Sequence, residues 1–154
     1  MPADGHEDRA PTTWRPEDLV PHRPPFLLLD EITELEPGVA ARGRWRLTGD
    51  EAFFSGHFPG RPTLPGVLMV ESLAQLGAAA VLADERFRGR LPLFGGIDRA
   101  RFRRQVVPGD ELELEVSLGR LSARAGTGHG AARVRGERAC EVDLLFVFAD
   151  RPAS

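Results

Sequence analysis

Lysine and tyrosine are missing from this 154-residue sequence, cysteine occurs once, and methionine and tryptophan occur twice each. One thiol, Cys140, cannot close a disulfide framework or supply a cysteine metal cluster, and it points to a reducing, cytoplasmic setting. All 20 basic residues are arginine, and against 23 acidic residues they leave a formal net charge of −3. That balance exerts no global pull on nucleic acid. Long unbroken apolar runs are missing too. The nearest, residues 67–83, is interrupted by Glu71, Ser72 and Gln75 and is barely long enough to cross a bilayer, so no membrane span is expected. Met1 to Thr13 is polar and acidic with no apolar centre; it is no signal peptide, and residues 1–14 read as a disordered tail. Residues 15–150 are expected to form one domain. With 42% hydrophobic and 28% charged residues, a chain of this size buries roughly two thirds of its unfolded surface.

What is present is one apolar segment set among strand patterns. A segment apolar on all sides in such a chain reads as a helix wrapped by other structure. Residues 26–35 and 39–47 read as strands joined by the turn signal Glu36-Pro37-Gly38. Further strand patterns cover residues 91–104, 111–121, 130–136 and 138–149, with Pro108-Gly109-Asp110 and the glycines of 126–130 read as turns. Glu111 to Val116 alternates strictly, so one face is wet and the other packs inward. One long helix amid hairpin-connected strands predicts an α+β fold, an antiparallel sheet curled round a central helix.

The residues suited to chemistry flank the start of that helix. His57 lies in a loop stiffened by Gly56, Pro59, Gly60, Pro62, Pro65 and Gly66, and Glu71 lies on the helix itself. Gly66 is the first residue after Pro65 able to offer a free N–H, at the positive end of the helix dipole where a developing oxyanion is stabilised. A histidine with an ordinary pKa near ~6.5 can accept a proton at neutral pH. Glu71, ordinarily near about 4.3, needs its apolar neighbours Val67, Leu68, Val70 and Leu73 to raise it before it can donate one. Gln75, one turn further on, either orients that carboxyl or sits satisfied at a subunit interface. His22 in the Pro21-His22-Arg23 loop reads as structural, and His6 and His129, the latter placed in a glycine-rich turn, as exposed and without a role. Arg99, Arg101 and Arg103 alternate along a strand and, with Arg104, form either a docking patch for an acidic carrier or a solvated face.

Four blocks in order, Pro21 to Asp30, Gly56 to Gln75, Gly96 to Phe102 and Val107 to Asp110, resemble the hot-dog-fold dehydratases of the FabZ type. These enzymes act on 3-hydroxyacyl chains held on the phosphopantetheine of acyl carrier protein, and the resemblance runs from about Leu19 to Ala149. It implies His57 as general base, Glu71 as general acid, the Gly66 amide as donor to the thioester carbonyl, and Phe58 and Pro59 as supporting loop residues. It also implies a fatty-acid-type dehydration to the trans-2-enoyl thioester with no metal or redox cofactor. A homodimer is implied as well, His57 of one protomer facing the partner subunit's Glu71, commonly assembled into a trimer of dimers. Relatives that also isomerise the double bond usually carry Asp where this chain has Glu71. A dehydratase/isomerase, a thioesterase and a silent subunit binding acyl carrier protein are the alternatives. Pro24 stands where the family often has an aromatic residue, which bears on chain-length preference and tunnel access.

Overall fold

The computed structural model describes residues 13–151. Residues 1–12 of the expected tail, His6 among them, lie outside the described residues. Six strands, β1 (Glu31–Glu36), β2 (Ala40–Arg46), β3 (Arg90–Phe102), β4 (Glu111–Leu121), β5 (Ala125–Val134) and β6 (Glu137–Asp150), form one antiparallel sheet in the order β1-β2-β4-β5-β6-β3. A short helix α1 (Phe53–Gly56) precedes the long helix α2 (Gly66–Leu82), and α2 packs against every strand. This is the expected α+β arrangement, and the chemistry of the core explains it. In β4, Leu112, Leu114 and Val116 are buried while the intervening glutamates face outward, so that period-two strand has a core face and a water face. In α2, the run from Met69 to Val81 lies wholly in the core except Glu71, the one residue of that run kept partly open.

Turn chemistry sets the hairpins. Gly38 takes φ 74° between β1 and β2, and its N–H donates to the Ala80 carbonyl at 2.9 Å, which pins this turn to the last turn of α2. Arg135 and Gly136 both have positive φ, 48° and 79°, the two-residue connection whose twist matches paired strands. Trp14, assigned to the tail by its sequence, pairs with Ile32 along the free edge of β1 through two backbone hydrogen bonds.

Two expectations are corrected. Glycines 126–130 make no turn: Gly126, Gly128 and Gly130 are the inward positions of β5. A Cβ at Gly130 would stand 3.2 Å from Leu73 and one at Gly126 would stand 3.0 Å from Phe148, so glycine at period two lets helix and aromatic rings approach the sheet. His129 consequently stands on a strand, exposed, with Nδ1 2.7 Å from Asp143. Phe26 to Asp30 is likewise no strand. Its backbone is bonded by side chains of α2: Leu28 donates its N–H to Gln75 Oε1 at 2.8 Å, Gln75 Nε2 donates to the Phe26 carbonyl at 2.8 Å, and Ser72 Oγ donates to the Leu28 carbonyl at 2.7 Å.

Phe146 of β6, 2% exposed, closes the core over the middle of α2, where its ring approaches to 2.9 Å of the position a Cβ at Gly77 would take. Phe146→Ala is expected to cost about 3–5 kcal/mol in a chemical denaturation series, from lost burial plus the cavity left behind.

Candidate active site

The loop after α1 places His57 by fixing its backbone on both sides. His57 ends α1, its N–H donating to the Phe53 carbonyl at 3.0 Å. Phe58 follows with φ 55°, a left-handed conformation that costs a bulky residue energy and recurs at functional sites. Its ring lies against the His57 imidazole with centroids 4.1 Å apart. Pro59 sits inside the bend that the Arg61 N–H closes onto the Phe58 carbonyl at 2.8 Å. Beyond it, the Leu64 N–H donates to the Val106 carbonyl at 2.8 Å and Gln105 donates to Thr63 Oγ1, anchoring the loop to the segment after β3.

That anchoring decides the tautomer of His57. Its Nδ1 is 2.7 Å from the Thr63 carbonyl. A carbonyl only accepts, so Nδ1 carries the hydrogen and, in the neutral ring, Nε2 carries the lone pair. The imidazole thus presents a base at Nε2. Thr63 and Gln105 were not singled out by the sequence, because nothing in their residue types marks them as partners of a histidine.

Glu71 sits in a different environment. It borders a cavity of about 150 Å³ lined by His22, Ala74, Gln75, Ala78, Pro92, Leu93, Phe94 and Phe146, with its side chain 15% exposed. Burial raises its carboxyl above the usual range, opposed in part by the hydrogen bond that Gln75 Nε2 donates to Oε1 at 3.1 Å. Gln75 is itself 1% exposed and held from both ends by Phe26 and Leu28, so it is a rigid donor. His22 Nε2 lies 3.7 Å from the same Oε1. Cys140 is also buried, and its thiol is pushed up to about 11, which makes it an inert core residue.

Gly66 is the first residue of α2, directly after Pro65, and no side chain caps that helix start. Its amide stands among the orphan donors of a helix N-terminus. The face left open by the missing side chain is covered by Phe102, whose ring is 2.8 Å from where a Cβ would be. Glycine is needed here for the aromatic ring to approach the helix start, a reason additional to that read from the sequence.

The arginine patch is narrower than its spacing suggests. A bulge between Asp98 and Arg101 breaks the alternation, and Arg99 sits in it with φ 49°. Arg103 pairs with Glu141, and Arg104 with Glu137 at 2.9 Å and Asp110 at 3.8 Å. Arg103 is exposed despite its ion pair, and Arg99 and Arg101 are the exposed arginines of the group with no ion pair among the described residues.

Glu71, Gln75 and His22 are thus brought together, with Gly66 further toward the start of the same helix. His57 is not among the residues lining the Glu71 cavity. No cluster of side chains suited to a metal occurs among the described residues, and no described helix is long and apolar enough to cross a membrane.

Comparison with known proteins gives this arrangement a family. A model described as a FabA-like domain matches residues 20–143. The chain is 53% identical over 135 residues, 88% of its length and 94% of the relative's, to the 3-hydroxyacyl-[acyl-carrier-protein] dehydratase FabZ of Moorella thermoacetica. It is 51% identical over 138 residues, 90% of its length and 98% of the relative's, to the protein of the same name from Bacillus subtilis. Among solved structures, the dehydratase heterocomplex ApeI:P of Xenorhabdus doucetiae superposes with a TM-score of 0.73 at 16% identity over 92% of this chain and 93% of that one, a likeness of fold. With the helix-start glycine, the loop histidine and the buried glutamate all inside the matched segment, the chain belongs to the FabA-like family of hot-dog proteins.

Proposed function

We propose that residues 15–150 form one hot-dog domain that dehydrates 3-hydroxyacyl chains carried on acyl carrier protein, through His57, Glu71 and the Gly66 amide. The observation that carries this reading is the Glu71 carboxyl, raised by burial and held by Gln75 in an apolar cavity, in a chain about half identical to dehydratases of that name. The base takes the proton from C2 of the thioester onto His57 Nε2. Negative charge gathers on the thioester oxygen, where the Gly66 N–H stabilises it. Glu71 gives its proton to the C3 hydroxyl, which leaves as water as the C2–C3 double bond forms. One proton is taken and one given, so the roles need no metal or redox cofactor.

The cavity around Glu71 does not contain His57, which supports a homodimer in which the partner subunit's His57 completes each site. The free edge of the sheet at β3 supports it too, since Phe94, Ile97 and Phe102 stand exposed there at 43%, 53% and 50%. A trimer of dimers and a cytoplasmic location belong to the same proposal. Glu71 in place of Asp favours dehydration without isomerisation.

Incubating purified protein with 3-hydroxyacyl-carrier protein and weighing the carrier intact tests the activity. Loss of one water mass is the expected result, free carrier thiol would identify a thioesterase, and an unchanged mass over short and long acyl chains would overturn the proposal. Arg99 and Arg101 supply the carrier contact in this reading. Replacing both by Glu is expected to raise KM for the carrier-bound substrate severalfold at low salt with kcat unaltered, an effect that shrinks as ionic strength rises.

A further inference from the structure

The loop histidine beside Glu71 is built as a donor. His22 lies between Pro21 and Arg23, its side chain 25% exposed, with Nε2 3.7 Å from Glu71 Oε1. Its Nδ1 is sealed from solvent and has no hydrogen-bond partner. A protonated ring carries hydrogen on both nitrogens, so the charged form would strand a buried N–H at Nδ1. The neutral ring with the lone pair at Nδ1 avoids this, and it puts the ring hydrogen on Nε2, on the side of Glu71. Burial and the charge of Arg23 both push the imidazole below its usual pKa, in keeping with the neutral form. The Arg23 guanidinium is turned to the carbonyls of Val20, His22 and Glu17, so its charge is left uncancelled beside the ring. Of the residues lining the cavity, His22 and Glu71 are the two that titrate.

We propose that His22 is a positioning residue for Glu71, its Nε2–H closing onto Oε1 as the carboxyl loses its proton. The proposal rests on the reading of Glu71 as the acid. Gln75 Nε2 already donates to Oε1, and His22 approaches the same oxygen. Two N–H groups on Oε1 leave Oε2 to carry the acid hydrogen toward the substrate. The gap of 3.7 Å is longer than a hydrogen bond, as is common for catalytic contacts before substrate tightens them. In the step itself the O–H bond of Glu71 breaks, its proton joins the departing hydroxyl as water, and the new carboxylate is stabilised by both donors.

The test compares His22→Phe, His22→Gln and His22→Asn, because glutamine sets an N–H donor near the position of Nε2 and asparagine sets one near Nδ1. In His22→Phe, kcat for a 3-hydroxyacyl-carrier protein is expected to fall about tenfold with KM little changed. The high-pH limb of the kcat profile moves upward, since a carboxylate without its donor holds its proton more tightly. His22→Gln restores the limb and most of the rate, and His22→Asn restores neither. Equal behaviour of the Gln and Asn variants, or a limb that stays in place in His22→Phe, overturns the proposal. Where the Phe variant does not fold, the contrast between Gln and Asn decides alone. Glu71→Gln is measured beside them. If it keeps normal turnover, the acid assignment falls and the role of His22 with it; if it is inactive while the limb is unmoved by His22→Phe, only the role of His22 falls.

Discussion

Glu71→Gln is expected to lower kcat by about 10²- to 10⁴-fold and, at neutral pH, to raise the melting temperature. The two effects come from one cause. Burial lifts the carboxyl above its usual range, which suits it to the proposed role of acid and makes its ionised form costly in the folded state. With the folded pKa above the unfolded value of about 4.3, the native state binds the proton more tightly. Below the unfolded value both states are protonated and the charge costs nothing. As pH rises toward and through the folded value, stability is lost. Glutamine keeps the shape and the oxygen that accepts from Gln75, and it cannot ionise. The gain in melting temperature should therefore be near zero below about pH 4 and grow as pH rises toward and through the folded value, the trade of stability for function expected if Glu71 is the acid. A melting temperature that falls at every pH, alongside intact turnover, would remove Glu71 from the mechanism. Thermal scans across pH beside single-substrate kinetics make the comparison.

His57→Ala is expected to lower kcat by a similar factor, about 10²- to 10⁴-fold, with Thr63 and Gln105 left in place to keep the loop anchored. The more telling result comes from mixing. When His57→Ala and Glu71→Gln chains are co-expressed, a mixed dimer with shared sites has one site carrying both lesions and one carrying neither. Random pairing then returns about a quarter of wild-type activity, far above either parent. If each site were built within one chain, every site would carry a lesion and the mixture would stay as inactive as its parents. Kinetics on the tagged and purified mixed dimer separates the two cases.

Much of the fold was legible in the sequence. The helix begins directly after Pro65, where a residue with fixed φ and no N–H suits a helix start. The alternation of Glu111 to Val116 came out as a strand with Leu112, Leu114 and Val116 buried. Turn signals were the weaker guide. Glycine marks a turn in local chemistry, yet at period two in β5 it marks close approach by Leu73 and Phe148, and those neighbours come from distant parts of the chain. The apolar run at Phe26 failed as a strand for a related reason: Gln75 and Ser72, more than forty residues on, take its backbone hydrogen bonds.

The sequence by itself determined the α+β class, the central helix, the family and the residues on which the chemistry is proposed to rest. Each depends on local periodicity, on the φ restrictions of proline and glycine, or on motif order, all properties of neighbouring residues. Tertiary structure alone decided the strand order, the hydrogen that Thr63 places on Nδ1 of His57, the rise in the Glu71 carboxyl, the approach of His22 to it, and the ion pairs that Arg103 and Arg104 make and Arg99 and Arg101 do not. A proton's position and a carboxyl's acidity follow from which groups surround them and how much water is excluded, and those neighbours are chosen by the packing of α2 on the sheet.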